Sequence, residues 1–258
     1  MNNANNKTVH FVGAGPGAAD LITLRGKTLL EAADVVIYAG SLVNPVLLDY
    51  TKTDCEIYNS ATMTLDDVIN AIQAAVSGGK SVVRLHTGDP SVYGAIREQM
   101  DRLTALGVDF DICPGVSSVN AAAAALKAEY TLPSVSQTVI LTRAAGKTPV
   151  PERESIRSLA AHGATMVLFL SSALLKTVSA DLTAGGYAPD TPAAIVYKAS
   201  WPKEKIVRCT VGTLASSAAE HNISKTALIC VGEFLGDAYE LSRLYAPDFS
   251  TEYRQAQP

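Results

Sequence analysis

The chain has 258 residues, 48% of them hydrophobic and 18% charged, and a formal net charge of −4. That length fits one large domain or two ordinary ones and excludes a small scaffold stapled by disulfides or metal. The acidic balance leaves no electrostatic footprint for nucleic acid, and no apolar run is long enough to cross a bilayer.

In chain order, Met1-Asn2-Asn3-Ala4-Asn5-Asn6-Lys7 lacks the apolar core and cleavage site of a secretory signal, so we expect a cytoplasmic protein with no membrane partner. Strands are predicted over 9–12, 34–38, 56–58, 81–85 and 109–112, alternating with helices, which implies a largely parallel sheet covered on both faces. Thr64-Leu65-Asp66-Asp67 reads as a capping box with Asp in place of Glu. Leu65, Val68, Ile69, Ile72 and Val76 follow at helical spacing until Gly78-Gly79 stops them. Further helices are predicted over 91–106, ended by Gly107, and after Pro114-Gly115 with Ser117 or Ser118 as N-cap.

Thr131-Leu132-Pro133-Ser134 interrupts this pattern, and we place a domain boundary there, with domains over 1–130 and 131–258. The second half carries more strand than helix: strands over 138–142, 165–170, 193–197, 206–210 and 227–231, helices over 152–162, 172–184 and 213–220. Two α/β lobes joined by a short linker usually hold their ligand where they meet. Cys55, Cys113, Cys209 and Cys230 are scattered without a C-x-x-C pair and read as buried free thiols. His10, His86, His162 and His221 show no metal-ligand spacing, so no metal site is expected.

Three loops follow strands in the first half. Gly13-Ala14-Gly15-Pro16-Gly17-Ala18 satisfies the G-x-G-x-x-A variant of a dinucleotide fingerprint. Pro16, however, removes an amide from the turn that should cradle pyrophosphate, and the second strand ends Tyr38-Ala39-Gly40-Ser41 without the acidic ribose ligand. In Gly88-Asp89-Pro90-Ser91-Val92-Tyr93-Gly94, Gly88 admits a close-approaching ligand, and Asp89 either accepts a ligand's hydrogen bond or caps the following helix. Pro114-Gly115-Val116-Ser117-Ser118 is the third. In a parallel sheet all three lie on one rim, which suits a small molecule.

These three motifs, with Leu21-Ile22-Thr23, resemble the motif set of the tetrapyrrole methylases, in order and over nearly the whole chain. Within that superfamily, Tyr38-Ala39-Gly40-Ser41-Leu42-Val43, Glu129-Tyr130-Thr131-Leu132-Pro133, Val135-Ser136-Gln137-Thr138 and Ser242-Arg243-Leu244-Tyr245 resemble the precorrin-4 C11-methyltransferases of cobalamin biosynthesis. The stretch from Asp248 to Arg254 is similar to the anaerobic branch, whose substrate carries cobalt; the metal-free substrate and another ring position are the alternatives.

The resemblance implies a two-lobed α/β fold, with a parallel sheet in the first lobe and a mixed one in the second. It implies a homodimer, with S-adenosylmethionine folded into the trough between lobes and S-adenosylhomocysteine as product. Carried over by position, Pro16, Gly88, Asp89, Val92, Ser117 and Ser118 line the cofactor site from the first lobe, and Leu170, Ala199, Thr226 and Ala227 from the second. Leu170 replaces a methionine common in relatives, and His86 stands where some have lysine.

A sulfonium is already activated, so methyl transfer needs positioning more than a strong base. No catalytic residue is assigned; Asp89 is a candidate for placing the cofactor and Glu129 a remoter one for proton handling. The carboxylates of a tetrapyrrole need cations, for which Arg97, Arg143, Lys176, Lys198 and Lys203 are candidates, with Trp201 a candidate to face the macrocycle. A dinucleotide-binding module and an RNA methyltransferase are the rival readings from other classes.

Overall fold

The computed structural model describes residues 8–257; the predicted absence of a signal over residues 1–7 lies outside them. The chain divides into two compact units. The first runs to Ala121 and includes Lys198–Lys203; the second holds Ala122–Tyr197 and the chain from Glu204 onward. No described helix is long and apolar enough to cross a membrane.

The first unit is built on β1 (Val9–Gly13), β2 (Val35–Tyr38), β3 (Glu56–Asn59), β4 (Val82–His86) and β5 (Phe110–Cys113), in the order β3-β2-β4-β1-β5. Every pairing is parallel, with Gly13 opposite His86 and Val12 opposite Cys113, so the strands deliver their following loops to one rim. Successive side chains alternate between faces. Val9, Phe11, Ile37 and Val82 pack with Val68, Ile69 and Ile72 of α2 (Leu65–Ser77) and with Leu103 of α3 (Arg97–Ala105). Val12, Val36, Val83 and Leu85 pack on the other face with Leu30 of α1 (Leu24–Ala32). The capping box of α2 is present: Asp67 N donates to Thr64 Oγ1 at 3.2 Å and Thr64 N to Asp67 Oδ2 at 2.9 Å, a device worth about 1 kcal/mol.

The second sheet joins β6 (Val139–Arg143), β7 (Thr165–Phe169), β8 (Pro192–Tyr197), β9 (Lys205–Thr210) and β10 (Ala227–Val231) in the order β6-β7-β10-β8-β9. Only β6 and β7 run parallel, so the sheet is mixed. Met166, Leu168, Ile195, Ile229 and Val231 form its core with residues of the helices that follow α4 (Ser118–Leu126): Ala160 of α5 (Ile156–Ala160), Val178 and Leu182 of α6 (Leu175–Gly185), and Leu214 of α7 (Leu214–Glu220).

Three helix expectations need correction. The helix predicted over 91–106 begins only at Arg97, because residues 90–93 form a turn and Tyr93 and Ala95 take φ of 56° and 50°. The segment 152–162 is split, since Ser155 is extended and caps α5 by accepting from Ser158 N at 3.2 Å. Helix α1 was implied by the alternation but given no bounds: Gly26 in its first turn hides the period, but Thr23 Oγ1 accepts from Gly26 N at 3.1 Å and starts it. Of the thiols, Cys113 and Cys230 are buried, whereas Cys55 and Cys209 are half-buried; all four are free.

Candidate functional site

The loops after β1, β4 and β5 lock into one another in the first unit. Gly15 and Gly88 form an isolated bridge, with Gly88 N donating to Gly15 O at 2.8 Å and Gly15 N to Gly88 O at 3.2 Å. A Cβ on Gly13 would lie 2.5 Å from Gly115 Cα, and one on Gly115 would lie 2.2 Å from Gly88 O. The three loops therefore approach at distances only glycine permits. Gly88 also has φ of 60°, which exempts it from the strain a side chain would impose.

Asp89 pins this assembly. Its Oδ2 accepts from Gly115 N at 2.8 Å and its Oδ1 accepts from Ser91 N at 2.9 Å and from the Ser91 hydroxyl. Burial pushes the carboxyl's pKa up, but the bonds from the Ser91 side chain and the Gly115 and Ser91 amides outweigh it and hold it below the ordinary value. The carboxylate thus stays charged at neutral pH and fixes two loops relative to each other. Val92 lies in the turn that follows. Ser117 opens α4: its carbonyl accepts from Asn120 N at 3.1 Å and its Oγ from Val119 N at 3.4 Å, leaving Ser118 as the first helical residue.

Pro16 is held from the other side by Lys198–Lys203, which belongs to the same unit. Trp201 Nε1 donates to Pro16 O at 3.0 Å, Ser200 Oγ accepts from Ala18 N at 3.0 Å, and Lys198 Nζ sits 5.0 Å from the Trp201 ring centroid. Ala199 is buried between Lys198 and Ser200, which both adopt left-handed backbone, φ 49° and 66°. Trp201, a candidate to face a macrocycle, has its indole N–H engaged with the loop after β1. Ser200 escaped sequence reading, since a lone Ser beside Trp carries no pattern.

In the second unit, Leu170 leaves β7 and Thr226-Ala227 enters β10. These strands are antiparallel neighbours, with Leu168 opposite Ile229, so both positions come to one end of the sheet. Leu170 is 65% exposed with φ of 51°, and Thr226 has φ of 56°. Buried Ser172, also missed from sequence, donates Oγ to Ala227 O at 3.1 Å. Of the nine non-glycine residues with positive φ among the described residues, Tyr93, Ala95, Leu170, Lys198, Ser200 and Thr226 fall on or beside the loops singled out from sequence. Strain of that kind persists where the surroundings over-determine it, and it concentrates at ligand sites.

The candidate substrate cations are placed differently. Arg97 is exposed and pairs with Asp101 at 2.8 Å, Lys176 is exposed on α6, and Lys203 is exposed. Arg143 ties its own loop together, donating to the carbonyls of Ala144, Thr148 and Pro149 at 3.3, 3.2 and 2.8 Å. Glu129 is exposed. A further group was not placed in the site from sequence: Arg84, which went unnamed and is buried in β4, and His86, noted only for standing where some relatives have lysine, whose Nε2 is buried without a partner.

The family model of the Tetrapyrrole (Corrin/Porphyrin) Methylases matches residues 8–215, which include all three rim loops and the Lys198–Lys203 segment. The chain belongs to the tetrapyrrole methylase family. It is a methyltransferase. This tetrapyrrole methylase is 54% identical over 253 residues to a cobalt-precorrin-4 C(11)-methyltransferase of Methanocaldococcus jannaschii, a match covering 98% of each chain. It also resembles the X-ray structure of a cobalt precorrin-4 methyltransferase, described as a cobalamin biosynthetic enzyme, with a TM-score of 0.89 and 48% identity, covering 92% of this chain and 99% of that one. A uroporphyrin-III C-methyl transferase from Thermus thermophilus, complexed with S-adenyl homocysteine, matches with a TM-score of 0.74 and 26% identity over 89% of this chain and 93% of that one. The parallel first sheet and mixed second sheet are those expected of the family.

Proposed function

We propose that this methyltransferase uses S-adenosylmethionine to methylate C11 of cobalt-precorrin-4 in the anaerobic cobalamin pathway, acting in the cytoplasm as a homodimer. The observation that carries the substrate is the 54% identity, over 98% of both chains, to a relative with that name. The cofactor reading rests on the three glycine-clamped loops and on the relative solved with S-adenyl homocysteine.

When bound, the sulfonium supplies an activated methyl group, which passes to a ring carbon and leaves a thioether. The chain's own task is then to position and to exclude water. Gly13, Gly88 and Gly115 let backbone replace side chains at the rim, as a bulky adenosyl ligand requires. In this reading the residues that hold the cofactor are those the family resemblance carries over by position: Pro16, Gly88, Val92, Ser117, Ser118, Leu170, Thr226 and Ala227. Asp89 acts as a positioning residue, because both its oxygens are engaged within the loops. Ala199 joins the same set, held by the Trp201 and Ser200 contacts.

Calorimetric titration with S-adenosylhomocysteine, set against NADH, tests the cofactor; binding of the first alone is expected, and binding of NADH alone refutes it. Incubation with cobalt-precorrin-4 and with precorrin-4, followed by mass spectrometry and NMR of the methylated carbon, tests substrate and position.

A further inference from the structure

The rim of the first sheet carries a second feature beside the glycine loops. A cavity of about 250 Å³ opens where β2, β3 and β4 end, and its lining includes Ser60, Arg84, His86, Val92, Tyr93 and Gln99. Arg84 and His86 are two apart on β4, so they share a face. They lie at the rim end of the apolar cluster containing Val82, Phe11 and Ile37.

The electrostatics of this cavity are incomplete. Arg84 is 6% exposed and donates Nε to Gln99 Oε1 and Nη1 to Ile37 O, both at 3.0 Å. Both acceptors are neutral, and no carboxylate among the described residues pairs with the guanidinium; Glu98, also on the lining, is exposed and makes no ion pair with it. Burial lowers the Arg84 pKa to about 10, so it remains a cation at neutral pH. His86 is 4% exposed, and burial followed by the Arg84 charge lowers its pKa to about 3, so its ring is neutral. Its Nε2 is buried without a hydrogen-bond partner. A buried cation without a counter-charge and a buried ring nitrogen without a partner are both costly arrangements. One anion satisfies both when the neutral ring carries its proton on Nε2.

We infer that this cavity receives one carboxylate arm of the tetrapyrrole substrate, Arg84 supplying the charge and His86 Nε2–H the directional hydrogen bond. The inference rests on the proposed function for its ligand, and on the structure for its place. Val92 and Tyr93 belong both to the cavity lining and to the loop proposed for the cofactor, which puts an anchored arm beside the reacting groups. The acid is held by a guanidinium and a neutral imidazole, so it binds as the carboxylate.

The test uses the full chain with His86→Leu, which keeps the volume and removes the donor, and Arg84→Met as a second variant. His86→Leu is expected to raise KM for cobalt-precorrin-4 about tenfold or more, the loss of one hydrogen bond to a charged group, while kcat and affinity for S-adenosylhomocysteine stay unchanged. In the wild-type protein, ¹⁵N-histidine spectra are expected to show the His86 ring nitrogen shifting saturably with propionate and not with propionamide. Turnover by the wild type with an unaltered KM in His86→Leu overturns the cavity assignment alone. A propionate response combined with that unaltered KM marks a site for free anions and also overturns it. Equal shifts with propionate and propionamide, or none, do the same without need of a folded variant. Absence of wild-type turnover on any precorrin, with S-adenosylhomocysteine bound, overturns the proposed substrate instead.

Discussion

Trp201 donates its indole N–H to the carbonyl of Pro16, and its ring edge occupies the space that any side chain on Gly17 would need: a Cβ there would lie 2.1 Å from Trp201 Cδ1. Gly17→Ala should therefore destabilise the protein by about 1–3 kcal/mol, the usual range for overpacking. In a Trp201→Ala background the same change should cost much less, and the two should couple strongly in a double-mutant cycle read by urea denaturation. Additive effects would show that the indole is not seated against Gly17.

Asp89→Ala removes the acceptor for Gly115 N and the cap of Ser91. Binding of S-adenosylhomocysteine should weaken about tenfold or more, ~1.4 kcal/mol, with the melting temperature lowered only modestly. Asp89→Asn keeps one acceptor oxygen and should fall between. Calorimetry on the three proteins checks the order, and equal affinities would dismiss Asp89 as the organiser of these loops.

Gly115→Ala places a Cβ 2.2 Å from Gly88 O and 2.7 Å from Gly13 Cα, against backbone on both sides. The loops must move apart, so S-adenosylhomocysteine binding should be lost while far-UV circular dichroism still reports the sheet. Retained affinity would mean that the close approach of the loops is dispensable.

His86 gives an acid signature. Its pKa is held at about 3 in the fold against 6.5 ordinarily, so the unfolded chain takes up a proton between those values that the native state refuses. The stability attached to the neutral ring is complete above pH 6.5 and lost as pH falls towards 3, a slope amounting to a few kcal/mol at most. His86→Gln should remove that part of the pH dependence of the urea midpoint. An unchanged slope would indicate that water reaches the ring.

The Cys230 thiol is fully buried in β10, and burial pushes its pKa up to about 12. It should resist a thiol reagent until the protein unfolds, and Cys230→Ser should leave methyl transfer largely intact. Rapid native-state labelling at Cys230 would contradict this.

The central strands were legible because each is a short apolar run between turn residues, and the rim loops because glycine and proline mark them. Helix α2 announced itself through Thr64 and Asp67. What stayed hidden depended on tertiary context. Nothing in Ser91-Val92-Tyr93-Gly94-Ala95 forbids a helix locally; the left-handed backbone at Tyr93 and Ala95 belongs to a loop folded onto itself, where a Cβ on Gly94 would meet Pro90 O at 2.1 Å. Arg84 did carry a signal, a charge inside a run otherwise suited to a buried strand, but its partner Gln99 lies fifteen residues away on α3. Trp201 was visible as a lone aromatic, yet its engagement with Pro16 spans 185 residues.

That span bears on how the molecule is made. The residues that brace the loop after β1 belong to the first unit but are encoded within the sequence of the second. Chains emerge from the ribosome amino end first and fold unit by unit. The first sheet can therefore assemble early, while the turn after β1 waits for Ser200 and Trp201 to be translated. A nascent chain arrested before Ser200 holds the strands of the first sheet but not this brace, so the capacity to grip a ligand there matures only once most of the polypeptide has been synthesised.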